Sequence, residues 1–213
     1  MSGEDLKFAF MAFTAVFFVV DPLVAVPFFM TITADDPPEK RRGMALRAAL
    51  AACITLTLFA LAGGLIFRAF GVSLGAFKIA GGLMLFLMAM DMMRAQPSRT
   101  RSTAEEQEEG VARDDVAIVP MAIPMLAGPG AIATVMVLMS RAAWQVVPTT
   151  AVFLAIAVTC AIAWLLLRSA SAAERFLSKT TLHVAQRVMG LLLAAVAVEF
   201  VVGGIRDVMP TIG

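Results

Sequence analysis

Apolar residues in this chain come in six long blocks, about 8–32, 45–67, 72–93, 116–139, 148–168 and 187–205, parted by short polar joints. The blocks are apolar all round rather than striped, the pattern of helices surrounded by lipid or by other apolar helices. Roughly twenty residues at about 1.5 Å each cross a hydrocarbon core of about 30 Å, so each block predicts one spanning helix. The first block is expected to be a retained span rather than a signal peptide: it follows Glu4 and Asp5, lacks a basic leader, and runs into "TITADDPPEK" rather than a small-residue cleavage site. In that joint Asp36 is the predicted N-cap of the second helix, with Pro37 and Pro38 at its first positions and Glu39 three residues on.

The segment 94–115, "RAQPSRTRSTAEEQEEGVARDD", is the long polar stretch and reads as a linker. It divides the chain into 1–93 and 116–213, with three spans each, and the two parts resemble each other. A shift of 108 positions lays "GLMLFLMAMDM" (82–92) on "GLLLAAVAVEF" (190–200), so that Gly82 meets Gly190, Ala89 meets Ala197 and Asp91 meets Glu199. With a one-residue adjustment Pro22 of "VVDPLVAVP" meets Pro129 of "LAGPGAIAT". An odd number of spans per repeat inserts the second upside down, which is the inverted-repeat layout of many secondary transporters. The expected fold is all-α: six transmembrane helices in two inverted three-helix repeats, with helices 1 and 4 broken near the midplane.

The breakers fall at matched depth. Asp21-Pro22 sits near the middle of the first block with Pro27 beyond it; Gly128-Pro129-Gly130 sits in the fourth, after Pro120 and Pro124. Proline in a helix interior removes a donor and clashes with the preceding turn, at about 3 kcal/mol. In lipid the freed groups must be satisfied by protein or by water in a cavity. Pro27, Pro120 and Pro124 taken singly read as plain kinks. A helix that stops at Ala127 and restarts with Gly128 as cap and Pro129 first leaves amides open from Gly130 onward, and such an end attracts anions. A small amino acid's carboxylate would suit it, which makes Gly128, Pro129, Gly130, Ala131 and Thr134 candidate substrate-binding residues, faced by Asp21, Pro22 and Pro27. Thr14, Thr31 and Thr134 are expected first to satisfy nearby carbonyls. Gly81 and Gly82 either pack helices closely or line a cavity, close packing being the default for small residues in membrane helices.

Ionisable residues within spans are costly and often mark ion paths. Asp21 is the deepest and the foremost coupling candidate. Asp91, three residues from Arg94, reads as a surface-paired acid before a relay; both readings stand for Glu199. His183 lies in a basic connection and reads as solvated. Cys53 and Cys160 sit in different spans with no Cys-x-x-Cys spacing, which predicts two small buried thiols and neither a disulfide framework nor a zinc site. One histidine, two separate cysteines and no acid cluster provide no catalytic constellation and no metal site. No cofactor is expected, though proton or sodium coupling is open.

Composition agrees with the pattern. Of 213 residues 60% are hydrophobic and 15% charged, with mean hydropathy +0.87, and a net charge of +1 leaves no nucleic-acid footprint. Lys7, Arg68, Lys78, Arg141 and Arg206 fall on one side of the predicted membrane, and the remaining twelve of the 17 basic residues on the other. The more basic side is expected to be cytoplasmic, placing both termini outside and linker 94–115 inside the cell.

"IVPMAIPMLAGPGAIATVMVL" resembles the fourth-span signature of the MarC family, the SnatA-type neutral amino acid transporters. "VVDPLVAVPFF" resembles its first-span motif and "GVSLGAFKIAGGLMLFLMAMDM" its third, so the likeness covers nearly the whole chain. The family's first motif commonly reads Asn- or Asp-Pro followed by a small or polar pair; here Val24-Ala25 stands in that place. The resemblance implies a six-span inner-membrane protein that moves small neutral amino acids such as glycine or alanine, as importer or exporter. A channel or ion exchanger using the same broken helices is the alternative. Gly130→Leu is expected to leave the fold intact and abolish transport.

Overall fold

The computed structural model describes residues 3–33, 36–94, 122, 125–170 and 179–209. Linker residues 95–115, Pro120 and Pro124 lie outside them, as do the side chains of Thr31 and His183. Seven helices occur among the described residues: α1 Gly3–Val20, α2 Pro22–Ile32, α3 Pro38–Phe70, α4 Leu74–Met93, α5 Pro129–Ala142, α6 Val146–Arg168 and α7 Lys179–Val208. Five stretches are long and apolar enough to cross a membrane: Gly3–Met30, Pro38–Phe67, Leu74–Met93, Val146–Arg168 and Gln186–Val208. They correspond to five of the six expected blocks. In the remaining block stands α5, whose 14 residues reach only about 21 Å at about 1.5 Å each and cannot span alone. The described residues are all-helical, and the chain is a multi-pass integral membrane protein.

Local chemistry sets where helices begin and end. Asp36 is not the cap of α3: the Arg41 amide donates to the Pro37 carbonyl at 3.1 Å, so Pro37 holds the capping position. Asp36 is held in the preceding turn instead. Its amide donates to the Thr33 carbonyl, its carboxylate pairs with Lys40 at 2.8 Å, and its carbonyl accepts from Arg41 Nε. α3 closes at Gly71, whose φ of 62° favours glycine, while the Val72 amide returns to the Phe67 carbonyl. The Ser73 hydroxyl then accepts from the Ala76 amide to start α4.

α4 and α7 form the most intimate pair in the fold and run antiparallel. Small residues recur every seventh position along the seam: Gly75, Gly82 and Ala89 on α4, and Gly190, Ala197 and Gly204 on α7. A Cβ on Gly82 would lie 2.8 Å from the Ala197 carbonyl oxygen, and one on Gly190 3.0 Å from that of Ala89. One on Gly204 would lie 2.6 Å from the Gly75 carbonyl oxygen. Only glycine lets these backbones approach so closely, which is how membrane helices gain packing energy without a hydrophobic drive. At one end of the seam Lys78, 6% exposed, forms an ion pair with Asp207.

α6 packs across α1, α2 and α3, and α5 sits among α1, α3 and α4. Nearly all of α5 is buried, including Gly130, Ala131, Ala133, Thr134 and Val135 to Met139. Cys53 and Cys160, whose spacing gave no reason to meet, lie close together across α3 and α6 as free thiols.

The seam makes a direct prediction. Gly82→Ala and Gly190→Ala should each cost about 1–3 kcal/mol by forcing two backbones apart. Gly64→Ala, where a Cβ meets nothing within 4 Å, should leave the detergent-solubilised melting midpoint unchanged or slightly raised. Equal midpoints for all three variants would remove the seam from the account.

Candidate functional site

Both expected interruptions are present, and each starts a new helix with proline at its first position. α1 ends as the Asp21 amide donates to the Phe17 carbonyl at 2.9 Å. Pro22 disfavours right-handed helical backbone at the residue before it. Asp21 takes the left-handed conformation (φ 50°, ψ 66°), which aspartate and asparagine tolerate better than most residues. Its Oδ1 accepts from the Val24 amide at a long 3.4 Å, capping α2. Within α2, Pro27 withholds the amide that would bond the Leu23 carbonyl.

The second interruption follows a widened turn in which the Ala127 amide donates five residues back to the Ala122 carbonyl at 2.9 Å. Wide turns of this type are frequent at functional sites. Gly128 then adopts extended backbone (φ −73°, ψ 171°) and Pro129 opens α5, with no side chain capping the helix. The expected restart at Gly128-Pro129 is thus the observed one.

Packing brings the two interruptions together. A Cβ on Gly130 would lie 3.5 Å from Val19 Cγ1, so the first turn of α5 rests on the last turn of α1. The same Cβ would lie 2.9 Å from Leu85 Cδ2 and 3.0 Å from Met88 Sδ, two side chains by which α4 closes over the break. Asp21 and Thr134 are wholly buried. Gly128, Gly130 and Ala131 are buried and Pro129 is exposed. Each helix N-terminus carries roughly half a positive charge. Asp21 caps the N-terminus of α2, and the uncapped N-terminus of α5 rests on Val19, two residues before that aspartate.

The other candidates are distributed around this layer. Thr134 Oγ1 donates to the Gly130 carbonyl at 2.8 Å, and Thr14 Oγ1 to that of Phe10 at 2.9 Å, so both hydroxyls satisfy their own helices as expected. Gly81 faces Ala133 of α5, at 3.0 Å from a built Cβ, whereas Gly82 faces α7. Asp91 is half-buried one turn beyond Met88 on α4. Glu199 is exposed on α7 and is not brought to the break.

Sequence reasoning missed the closing pair Leu85 and Met88, which are ordinary apolar letters in an apolar block. It also passed over Lys78, counted only as a charge near a helix end. A lysine four residues into a span was itself the signal, because a buried cation requires a partner, and Asp207 is that partner.

The geometry at Asp21 separates conformation from charge. Asp21→Ala loses the cap and puts alanine in left-handed backbone, which should cost about 1–3 kcal/mol. Asp21→Asn retains both features and should melt within about 0.5 kcal/mol of wild type. Equal losses for both variants, measured in detergent, would mean that the charge rather than the turn holds this segment.

The pattern of "MarC family integral membrane protein" sequences matches residues 6–209. The chain is 38% identical over 205 residues to a UPF0056 membrane protein of Methanocaldococcus jannaschii, covering 96% of this chain and 99% of that one. It is 33% identical to the UPF0056 membrane protein YhcE of Escherichia coli, covering 97% and 95% of the two chains. The UPF0056 membrane protein YvbG of Bacillus subtilis is also 33% identical, covering 97% and 99%. No solved structure matches. With the family pattern running from α1 to the end of α7, this chain belongs to the MarC family of integral membrane proteins.

Proposed function

We propose that this protein is a secondary transporter of small neutral amino acids, glycine or alanine in kind. The reading is carried by one observation: the uncapped first turn of α5 rests on Val19, two residues before the buried Asp21 that caps α2. The amides following Pro129 would receive the substrate carboxylate, and Asp21 or carbonyls around Pro22 and Pro27 its ammonium. A zwitterion with a short side chain fits this charge pattern, and Leu85 and Met88 over Gly130 favour a small one.

Alternating access between two inverted three-helix repeats would expose the site to each side in turn. The α4–α7 seam supports the repeat. Gly82 lies against Ala197 and Gly190 against Ala89, and the 108-residue shift turns each contact into the other. Such reciprocity is expected of a pseudo-twofold pair. Asp21 would be the coupling group for a proton or sodium ion, and no cofactor or catalytic step enters the cycle. The protein would lie in the cell's inner membrane with both termini outside and linker 94–115 in the cytoplasm.

Purified protein in liposomes should show saturable counterflow of glycine or alanine. Flux that neither saturates nor exchanges would indicate a channel and overturn the carrier reading. Gly130→Leu is too large for a test, because even a Cβ there already meets Leu85 and Met88, so the expectation of an unaltered fold gives way to Gly130→Ala. The flexible tips of Leu85 and Met88 can yield to one methyl, so this variant should remain folded and lose at least about tenfold in transport rate. A Ser102→Cys variant, with Cys53 and Cys160 replaced by alanine, should resist an impermeant thiol reagent in intact cells. Ready labelling there would reverse the orientation.

A further inference from the structure

Glu199 is out of place for a residue in contact with lipid. It lies on the segment Gln186–Val208, nine residues from the Val208 end, or about 14 Å at about 1.5 Å per residue. That depth is near the middle of a hydrocarbon core about 30 Å thick. Its side chain is exposed on the outer face of α7 and makes no ion pair or hydrogen bond among the described residues. A carboxyl this deep almost always faces protein or a water-filled cavity, and glutamate is too short to reach the membrane surface from there. Arg206, two turns along the same face, sits at the membrane edge and cannot serve as its partner at mid-depth.

The surrounding surface has the form of a helix seam. Val188, Leu192, Ala195, Glu199, Val202 and Arg206 are all exposed and follow one another at alternating spacings of four and three residues. This is the repeat of a left-handed two-helix contact, with Glu199 in a core position and the small Ala195 one turn away to admit a close neighbour. The opposite face of α7 is already occupied by α4 through Gly190, Ala197 and Gly204.

We infer that this outer stripe of α7 is the interface of a homodimer, with Glu199 of each copy meeting Glu199 of the other. The depth of the group selects the occupant. Two copies inserted the same way round and related by a twofold axis along the membrane normal bring identical residues together at identical depth. Two carboxyls are then self-complementary: a protonated one donates its O–H to the other, and neither remains an isolated charge in lipid. A single polar residue in such a seam also fixes its register. This interface lies away from the α2–α5 break and does not depend on the transport reading.

The test is cysteine cross-linking of full-length protein in native membranes, in a Cys53→Ala, Cys160→Ala background. Ala195→Cys and Val202→Cys should give oxidant-dependent dimers of twice the chain mass, while Leu61→Cys, on the outward face of α3, should not. Glu199→Gln should retain the dimer, since amides also pair, and Glu199→Leu should lower the dimerisation constant about tenfold. Absent cross-links at 195 and 202 would overturn the proposal, as would equal yield at position 61 or adducts to a different protein. So would a dimer indifferent to Glu199→Leu.

Discussion

A backbone amide or carbonyl released in the middle of a bilayer has no water to turn to, and each one left unmet costs several kcal/mol. Proline at positions 22 and 129 interrupts the helical ladder within apolar sequence, so everything around those positions must shelter the interruption. Asp21 does so locally, by adopting the left-handed backbone that ends α1 and by offering Oδ1 to the first turn of α2. The second interruption has no side-chain cap and depends on burial: α5 is enclosed by α1, α3 and α4, and Leu85 and Met88 close over its first turn. α4 keeps that position through a glycine seam with α7 tight enough that a methyl group would strike backbone. The broken helices and the seam are therefore one construction.

From this follows the character of the site. Helix N-termini at the two breaks offer oriented dipoles, and in the proposed site Asp21 would add a carboxylate to them. The three groups together suit a ligand carrying both charges. Leu85 and Met88 cover the first turn of α5, so under the proposed transport α4 and α5 would have to part to admit a ligand. The seam and the closing side chains are where such movement would meet resistance.

Much of this was legible in the letters. Five of the six predicted spans and the paired proline interruptions came from spacing, because spans and breaks are written in residue type. The start of α3 was misplaced by one residue: Lys40 and Thr33 hold Asp36 in the preceding turn, and no local pattern announces that. Leu85 and Met88 could not be singled out, because an apolar residue lining a site looks like any other in a lipid-embedded helix. The direction Glu199 faces, and the meeting of Cys53 with Cys160, depend on how helices rotate about their axes, and that is decided by distant packing. Lys78 was within reach of sequence reasoning, since a lysine inside a span asks for its counter-ion.

The central claim is that the two interruptions, more than a hundred residues apart in sequence, form one site, and covalent capture tests it most directly. Cysteines at Val19 and Gly130, in a chain otherwise free of cysteine, would be joined by oxidation in native membranes and the linker then cut by trypsin. The account predicts that the two halves migrate as one until reduced. Halves that separate without reductant would contradict it, because the α1 and α5 turns would then not meet.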